Sequence, residues 1–306
     1  MSNKIEVEVN EYEATSLRLE LPGSMQGSDP AQVATPITLE KISVAGGASA
    51  ILLRHVFSPS ECQHFIDQAE SLGLKSVSEN GYKATYRDND RVVAMGDDVA
   101  KVLFARVAPF LEQDVVIDDS NSMKHHQGVK GLWRLHHVNP CFRLCRYHPG
   151  GHFSPHYDGE YVRSAALRSL KTLMLYLNGN GDFQGGSTNF LDDNHELTLD
   201  PATGKYVGME TAVYARVRPE PGMAIVFDHK ILHEGAPVTQ GKKYIMRSEA
   251  MYELVDRRMT PEEDEFHMLI QRAQKLESEG ETDEAARIYF SLPKKYPTLA
   301  PQWGLK

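Results

Sequence analysis

The sequence predicts an α+β fold, an antiparallel β-sandwich or jelly roll with helices before it and a helical hairpin after it. Three observations carry this. Apolar residues recur at helical spacing only between about residues 58 and 111 and again after Thr260. From about residue 132 the texture changes to short apolar or alternating segments, CFRLCRYH, KTLMLYLN, MAIVFDH and KYIMRSEAMY. Gly and Pro clusters separate these segments, as they do in antiparallel architectures with turn-rich links.

In chain order, residues 1–38 are expected to be a weakly ordered tail. LPGSMQGSDPAQVATP is rich in Pro, Gly, Ser and Gln and has no apolar period, and order is expected to begin near ITLEKISV. Ser58, Pro59 and Glu61 form a helix start with a capping box. Cys62, Phe65, Ile66, Ala69 and Leu72 follow on one face, and Gly73 ends the run. A second helix is predicted from Asp97 to Leu111. The strand-rich segments complete a main domain over residues 39–256. Within it, residues 191–218 read as a polar insertion, a hairpin or a lid. Thr260, Pro261 and Glu263 open a third helix, which Gly280 breaks, and Pro293 and Pro297 close a fourth. The resulting hairpin, residues 257–306, has the spacing of a single tetratricopeptide-like repeat. Such a repeat cannot bury its own apolar face and is expected to pack on the main domain.

Composition narrows the function. The 306 residues suffice for one sizeable core and a small extension, and the formal net charge of −9 gives no general attraction to nucleic acid or anionic lipid. No apolar run approaches membrane-spanning length, and MSNKIEVEVNEYEA is not a signal segment. Three cysteines, Cys62, Cys141 and Cys145, do not make a disulfide scaffold or a complete zinc site. A reducing, cytoplasmic location is therefore expected, with the nucleus as the alternative. Oligomeric state is not encoded in any of these features.

The chemistry concentrates in FRLCRYHPGGHFSPHYDGEY. On an extended strand, residues two apart share a face, so His156 and Asp158 can reach one ion together. Imidazole nitrogen plus carboxylate oxygen suits iron(II) at an open site. The third ligand must come from elsewhere, and His233, just beyond the apolar segment MAIVFD, is the best candidate. His148, His152 and His156 would form a rival trio on a helix, but Pro149, Gly150, Gly151 and Pro155 exclude one. His125, His126, His136 and His137 have no strand-like partner pattern. His229, four residues before His233, lacks the His-Glu-Gly turn context and is set aside.

These pieces resemble the prolyl 4-hydroxylase-like branch of the iron(II)/2-oxoglutarate-dependent dioxygenases. RYHPGGHFSPHYDG, TLMLYLN, GGSTNF and RPEPGMAIVFDHKILHEGAPVTQGKKYIMRSEAMY occur in the family's order. Upstream, YRDNDRV and SPSECQHFIDQAESLG look like its N-terminal support region. The resemblance implies a double-stranded β-helix core with N-terminal supporting helices. It also implies a metal triad of His156, Asp158 and His233, with Fe(II) as cofactor, 2-oxoglutarate and dioxygen as co-substrates, and ascorbate as a candidate reductant. The implied reaction is hydroxylation of a peptide side chain or a small molecule, with release of succinate and carbon dioxide. Related halogenases lack the carboxylate, so Asp158 points to hydroxylation.

The family places a basic residue for the distal carboxylate of 2-oxoglutarate about ten positions after the second histidine. Lys243 sits there and is preferred, but Arg247 shares its strand face and leaves the choice open. Tyr147 and Tyr176 match positions of tyrosines that hydrogen-bond the 2-oxoacid. Arg87, Asn89 and Arg91 are weaker candidates for lining the approach. Two other readings compete. One is a non-catalytic interaction protein using barrel and tail as a scaffold. The other is a cupin-type metalloprotein, whose usual His-x-His with nearby Glu is missing from this site.

Overall fold

The structure, a computed structural model, describes residues 15–25, 27, 29–44, 50–118, 130–179, 181–193, 198–200, 204–257, 260–278 and 281–305. His125, His126 and Gly280 lie outside them. The chain divides into two compact units, one drawn from 1–112, 136–160 and 169–251, the other from 113–135, 161–168 and 252–306. Among the described residues no helix is long and apolar enough to cross a membrane.

The first unit is built as its local signals dictate. Helix α1, Pro59–Leu72, starts at a complete capping box. The Glu61 N–H donates to Ser58 Oγ at 3.2 Å, and the Ser58 N–H donates to Glu61 Oε2 at 2.6 Å. Its buried face is Cys62, Phe65, Ile66 and Ala69, and Gly73 caps it in the left-handed conformation. Helix α2 spans Asp97–Val107, shorter than predicted, because the chain tightens into a 3-10 turn at Ala108–Phe110 where Pro109 cannot donate a hydrogen bond. Of residues 15–38, expected to be weakly ordered, Leu19 and Met25 are buried, and the Leu19 N–H donates to Met95 O at 2.8 Å.

Among the described residues most strands fall into two antiparallel sheets, beside two short two-stranded pairs. The larger takes β1 (Thr38–Lys41), β2 (Ala50–Arg54), β4 (Asp90–Met95), β5 (Cys141–Tyr147), β7 (Leu167–Tyr176), β10 (Ala224–Asp228) and β12 (Lys243–Arg257). Their order is β1-β2-β10-β7-β12-β5-β4. The smaller takes β3 (Arg87–Asp88), β6 (His152–His156), β8 (Thr188–Leu191), β9 (Val213–Val217) and β11 (His233–Gly235), in the order β9-β8-β11-β6-β3. From β5 onward the chain visits the two sheets in the order large, small, large, small, small, large, small, large. A single buried cluster draws on both: Cys145, Tyr147, Met174, Tyr176, Ile225, Phe227 and Ile245 from the larger, Phe190 and Val217 from the smaller. Burying both faces of β10, whose five residues are all buried, explains its unbroken apolar run. The insertion contains the hairpin Thr198–Asp200/Lys205–Val207.

Register depends on the turn before β10. Gly222 has φ +75°, and its carbonyl accepts from the N–H groups of Val56 at 2.9 Å and Phe57 at 3.3 Å. A Cβ there would lie 1.8 Å from Phe57 O. Gly222→Ala therefore combines a left-handed backbone penalty with a clash against backbone. It is expected to cost roughly 3 kcal/mol, read as a lower urea midpoint at unchanged slope.

In the second unit, Asp114–Ile117 pairs with the start of Gly131–Val138, and the Arg168 guanidinium covers the buried Trp133 ring at 5.4 Å. Helix α3, Pro261–Ser278, opens on the predicted box: the Glu263 N–H donates to Thr260 Oγ1 at 3.2 Å, and the Thr260 N–H to Glu263 Oε2 at 2.8 Å. Helix α4, Thr282–Lys295, does not stop at Pro293. The proline falls in the last turn, and the Tyr296 N–H still closes on Leu292 O at 2.7 Å. Phe266, Ile270, Leu292, Tyr296 and Ala300 form a core of their own, with Leu299, Trp303 and Leu305 packed against it. The chain after α4 thus covers apolar surface that a lone repeat would leave open.

Candidate functional site

Strand pairing brings the predicted ligands together. His156, the last residue of β6, is the direct cross-strand partner of His233, the first of β11. Asp158 lies just past the end of β6 rather than on it, and its N–H donates to His229 O at 3.1 Å. Its carboxylate is 3.7 Å from His156 Nε2 and 3.7 Å from His233 Nε2. The three donor atoms lie within 4.8 Å of one another, and among the described residues no other group of three such side chains could hold a metal.

The histidines are oriented for ligation. His156 Nδ1 lies 2.7 Å from Ser154 O, and His233 Nδ1 lies 2.9 Å from Ile231 O. A ring nitrogen facing a carbonyl must carry the proton, which leaves each Nε2 lone pair toward the group. Burial lowers both imidazole pKa values below the ordinary one, so both are neutral at neutral pH. Phe153 stacks on His156 with ring centroids 3.5 Å apart, and Phe227 meets His233 edge-on at 4.7 Å. Burial alone would raise the Asp158 pKa. Arg247, with Nη2 at 2.8 Å, the two histidines and the Thr172 hydroxyl at 2.6 Å outweigh it and hold the carboxyl well below the usual range.

Behind Asp158 stands a chain that sequence reasoning missed. Thr172 Oγ1 donates to Asp158 and lies 3.0 Å from His229 Nδ1, while His229 Nε2 lies 2.8 Å from Ser169 Oγ. Because the Thr172 proton goes to Asp158, His229 donates through Nδ1 and accepts from Ser169. Burial pushes the His229 pKa down to about 4, which keeps it neutral in that role. The signal was present: Thr172, Met174 and Tyr176 alternate on one face of β7, and Thr172 and Met174 line the cavity.

Lys243 and Arg247 do share a face of β12, paired across to Tyr147 and Arg143. Their surroundings differ. Arg247 bonds Asp158, whereas Lys243, 3% exposed, has no carboxylate within ion-pair distance among the described residues. Its Nζ donates to Gly186 O at 2.7 Å and lies 5.4 and 5.5 Å from the ring centroids of Tyr147 and Tyr176. Burial lowers its pKa to about 7. Gly186, at φ +65°, admits this side chain, since a Cβ would sit 3.1 Å from Lys243 Cδ. The Tyr176 hydroxyl donates to Thr188 Oγ1 at 2.7 Å. Arg143 is a buried ion-pair partner of Glu249. Glu234 accepts from Asn189 Nδ2 at 2.7 Å and the Gly208 N–H at 2.8 Å, which ties the insertion to the strand of His233.

The cavity is lined by His156, Asp158, His233, Lys243, Arg247 and Arg87, among others. It thus joins a group of neutral imidazoles and an ionised carboxylate to a buried cation that has no anionic partner among the described residues. That donor set fits a divalent metal, and the lone ammonium fits a carboxylate ligand.

Residues 142–248 match the family model of the 2OG-Fe(II) oxygenase superfamily. A PKHD-type hydroxylase of Sphingopyxis alaskensis is 29% identical over 104 residues, 33% of this chain and 39% of that protein. The chain therefore spans about two fifths of the length of this curated relative. Among solved structures, a viral collagen prolyl hydroxylase from Paramecium Bursaria Chlorella virus-1 is similar at 21% identity and a TM-score of 0.40, over 69% of this chain and all of that one. A Pseudomonas putida prolyl-4-hydroxylase is similar at 15% identity and a TM-score of 0.39, over 70% of this chain and 95% of that one.

Proposed function

We propose that this chain, whose residues 142–248 belong to the 2OG-Fe(II) oxygenase superfamily, is an iron(II)- and 2-oxoglutarate-dependent dioxygenase that hydroxylates a peptide side chain or a small molecule. The observation that carries the reading is the His156, Asp158 and His233 group, which shares a cavity with Lys243, a buried amine that no carboxylate among the described residues reaches. The name of the curated relative, a hydroxylase, supports the reaction type.

In this reading His156 Nε2, the Asp158 carboxylate and His233 Nε2 would hold the iron. When bound, the iron, 2-oxoglutarate and dioxygen would supply an oxidative decarboxylation that yields succinate and carbon dioxide, with one oxygen atom of dioxygen going to succinate and the other to the substrate. The protein's own residues bind and orient. The carbonyls of Ser154 and Ile231 fix the imidazole tautomers. Thr172, backed by His229, positions the carboxylate. Lys243 receives the distal carboxylate of 2-oxoglutarate, flanked by Tyr147 and Tyr176. We assign it rather than Arg247 because Arg247 is engaged by Asp158.

The alternation of strands between two sheets supports reading the core as a double-stranded β-helix, or jelly roll, with the site between β6 and β11. Residues 39–256 then form the dioxygenase domain, preceded by the 1–38 tail and followed by the 257–306 hairpin. The family resemblance adds ascorbate as a candidate reductant. The test is iron-dependent conversion of 2-oxoglutarate to succinate by the purified chain. Succinate should form only with iron present. A chain that binds neither iron nor 2-oxoglutarate would disprove the reading.

A further inference from the structure

We propose that Arg87 is the recognition residue for an oxyanion, a carboxylate or phosphate, carried by the primary substrate; this rests on the dioxygenase reading above. Arg87, on β3, is 5% exposed and lines the same cavity as His156, Asp158 and His233. Two other buried arginines of the first unit have carboxylate partners, Arg106 with Glu61 at 3.1 Å and Arg143 with Glu249, as does the half-buried Arg247 with Asp158 at 2.8 Å. Among the described residues no carboxylate lies within ion-pair distance of Arg87.

What does surround it fixes its orientation without neutralising it. Its Nε donates to Asn89 Oδ1 at 2.8 Å, and its guanidinium lies 4.3 Å from the Phe153 ring centroid and 5.3 Å from that of Tyr82. The same Phe153 ring stacks on His156. Among the described residues the acceptor for its terminal nitrogens is Cys145 Sγ at 4.0 Å, a weak one. Two ring faces and one amide oxygen do not replace the water shell of a buried charge, so a guanidinium held this way is costly unless an anion completes it.

The charges of the cavity point to the substrate as the source of that anion. Arg143 and Arg247 are matched by carboxylates of the protein. Glu234 is held by Asn189 and the Gly208 N–H. Lys243 and Arg87 remain. In the proposed reaction the distal carboxylate of 2-oxoglutarate goes to Lys243 and its 2-oxoacid end to the metal. Among the described residues lining the cavity, Arg87 is then the cation left to match, and its planar fork suits a two-oxygen contact. A substrate anion held there would be one aromatic ring away from a metal ligand.

The test uses the full chain loaded with Mn(II) and saturating 2-oxoglutarate, titrated calorimetrically with acetate and with inorganic phosphate. One of the two should bind at a single site. Its affinity should fall about tenfold in Arg87→Gln and recover in part in Arg87→Lys, which keeps the charge but not the fork. The 2-oxoglutarate affinity should not change. The tighter of the two probes identifies the group as carboxylate or phosphate. Equal anion affinity in wild type and Arg87→Gln, or no anion binding to wild type, overturns the proposal. So does a comparable loss of 2-oxoglutarate affinity in Arg87→Gln, which assigns the residue to the co-substrate. Absence of Mn(II) and 2-oxoglutarate binding in the wild type overturns both readings together, an outcome distinct from the others. Thermal melts of both variants check that they fold.

Discussion

Asp158→Ala should reduce iron-dependent succinate formation by more than the roughly 10–100-fold that loss of an outer-shell partner of a metal site costs, since it removes a ligand itself. The same change should destabilise the metal-free chain, because Asp158 is the carboxylate that Arg247 meets at 2.8 Å in a buried site. Removing one member of a buried charge pair costs about 3–5 kcal/mol. The pH dependence separates this from a packing defect. The folded pKa of Asp158 is held well below its unfolded value, so its contribution is fully present above about pH 4 and is lost as pH falls toward the folded value. The stability gap between wild type and Asp158→Ala should therefore narrow below that pH. A gap that is constant from neutral pH to strong acid would mean that the ion pair is not its source. His156→Ala and His233→Ala should lose succinate formation as well. Retained iron binding in all three variants would refute the assignment of the ligands.

The second large effect is a trade-off at Lys243. Lys243→Met should weaken 2-oxoglutarate binding roughly 100-fold, the scale of a lost charge-assisted hydrogen bond in a buried site, and at the same time raise the melting temperature of the ligand-free chain. Burial lowers the folded pKa of Lys243 from 10.5 to about 7. Between those values the folded state binds fewer protons than the unfolded state, so wild-type stability rises with pH across that window. The cost of the buried ammonium is full below about pH 7, and it is there that the methionine variant should gain most. The gain should vanish near the unfolded pKa. Binding a carboxylate favours the charged ammonium, so wild-type affinity for 2-oxoglutarate should decline as pH rises above about 7, while that of Lys243→Met stays flat over the same range. Calorimetric titration at several pH values measures both. A larger loss of affinity in Arg247→Met than in Lys243→Met would reverse the assignment of the two residues.

Periodicity and capping chemistry acted locally and were legible without tertiary information. Ser58 with Glu61 and Thr260 with Glu263 close their boxes within four residues of chain, and the apolar spacing after each fixes which face is buried. The helix ends were less legible. Asp97–Leu111 loses its last turn to Pro109, while α4 runs two residues past Pro293 to Lys295 and stops short of Pro297.

For the candidate site, the residue types and the two-residue spacing of His156 and Asp158 were enough to place them near one ion. The strand assumed for both ends at His156, and what puts Asp158 beside it is the His229 carbonyl, a partner distant in sequence. His229 shows the limit most clearly. Context sets it aside as a ligand, but only the packing of β7 against β10 reveals it as the neutral base of the Ser169 and Thr172 chain behind Asp158.

By itself, the sequence determined the α+β class, the helix starts, the segments that become strands, and the shared strand face of Lys243 and Arg247, because these follow from interactions a few residues long. Tertiary structure alone decided which of those two cations is already matched, that His156 stands opposite His233, and that Arg87 is buried with no carboxylate among the described residues in ion-pair reach. The physical reason is that charge compensation and burial are set by groups brought together from distant parts of the chain, and spacing along one strand carries no information about what faces it.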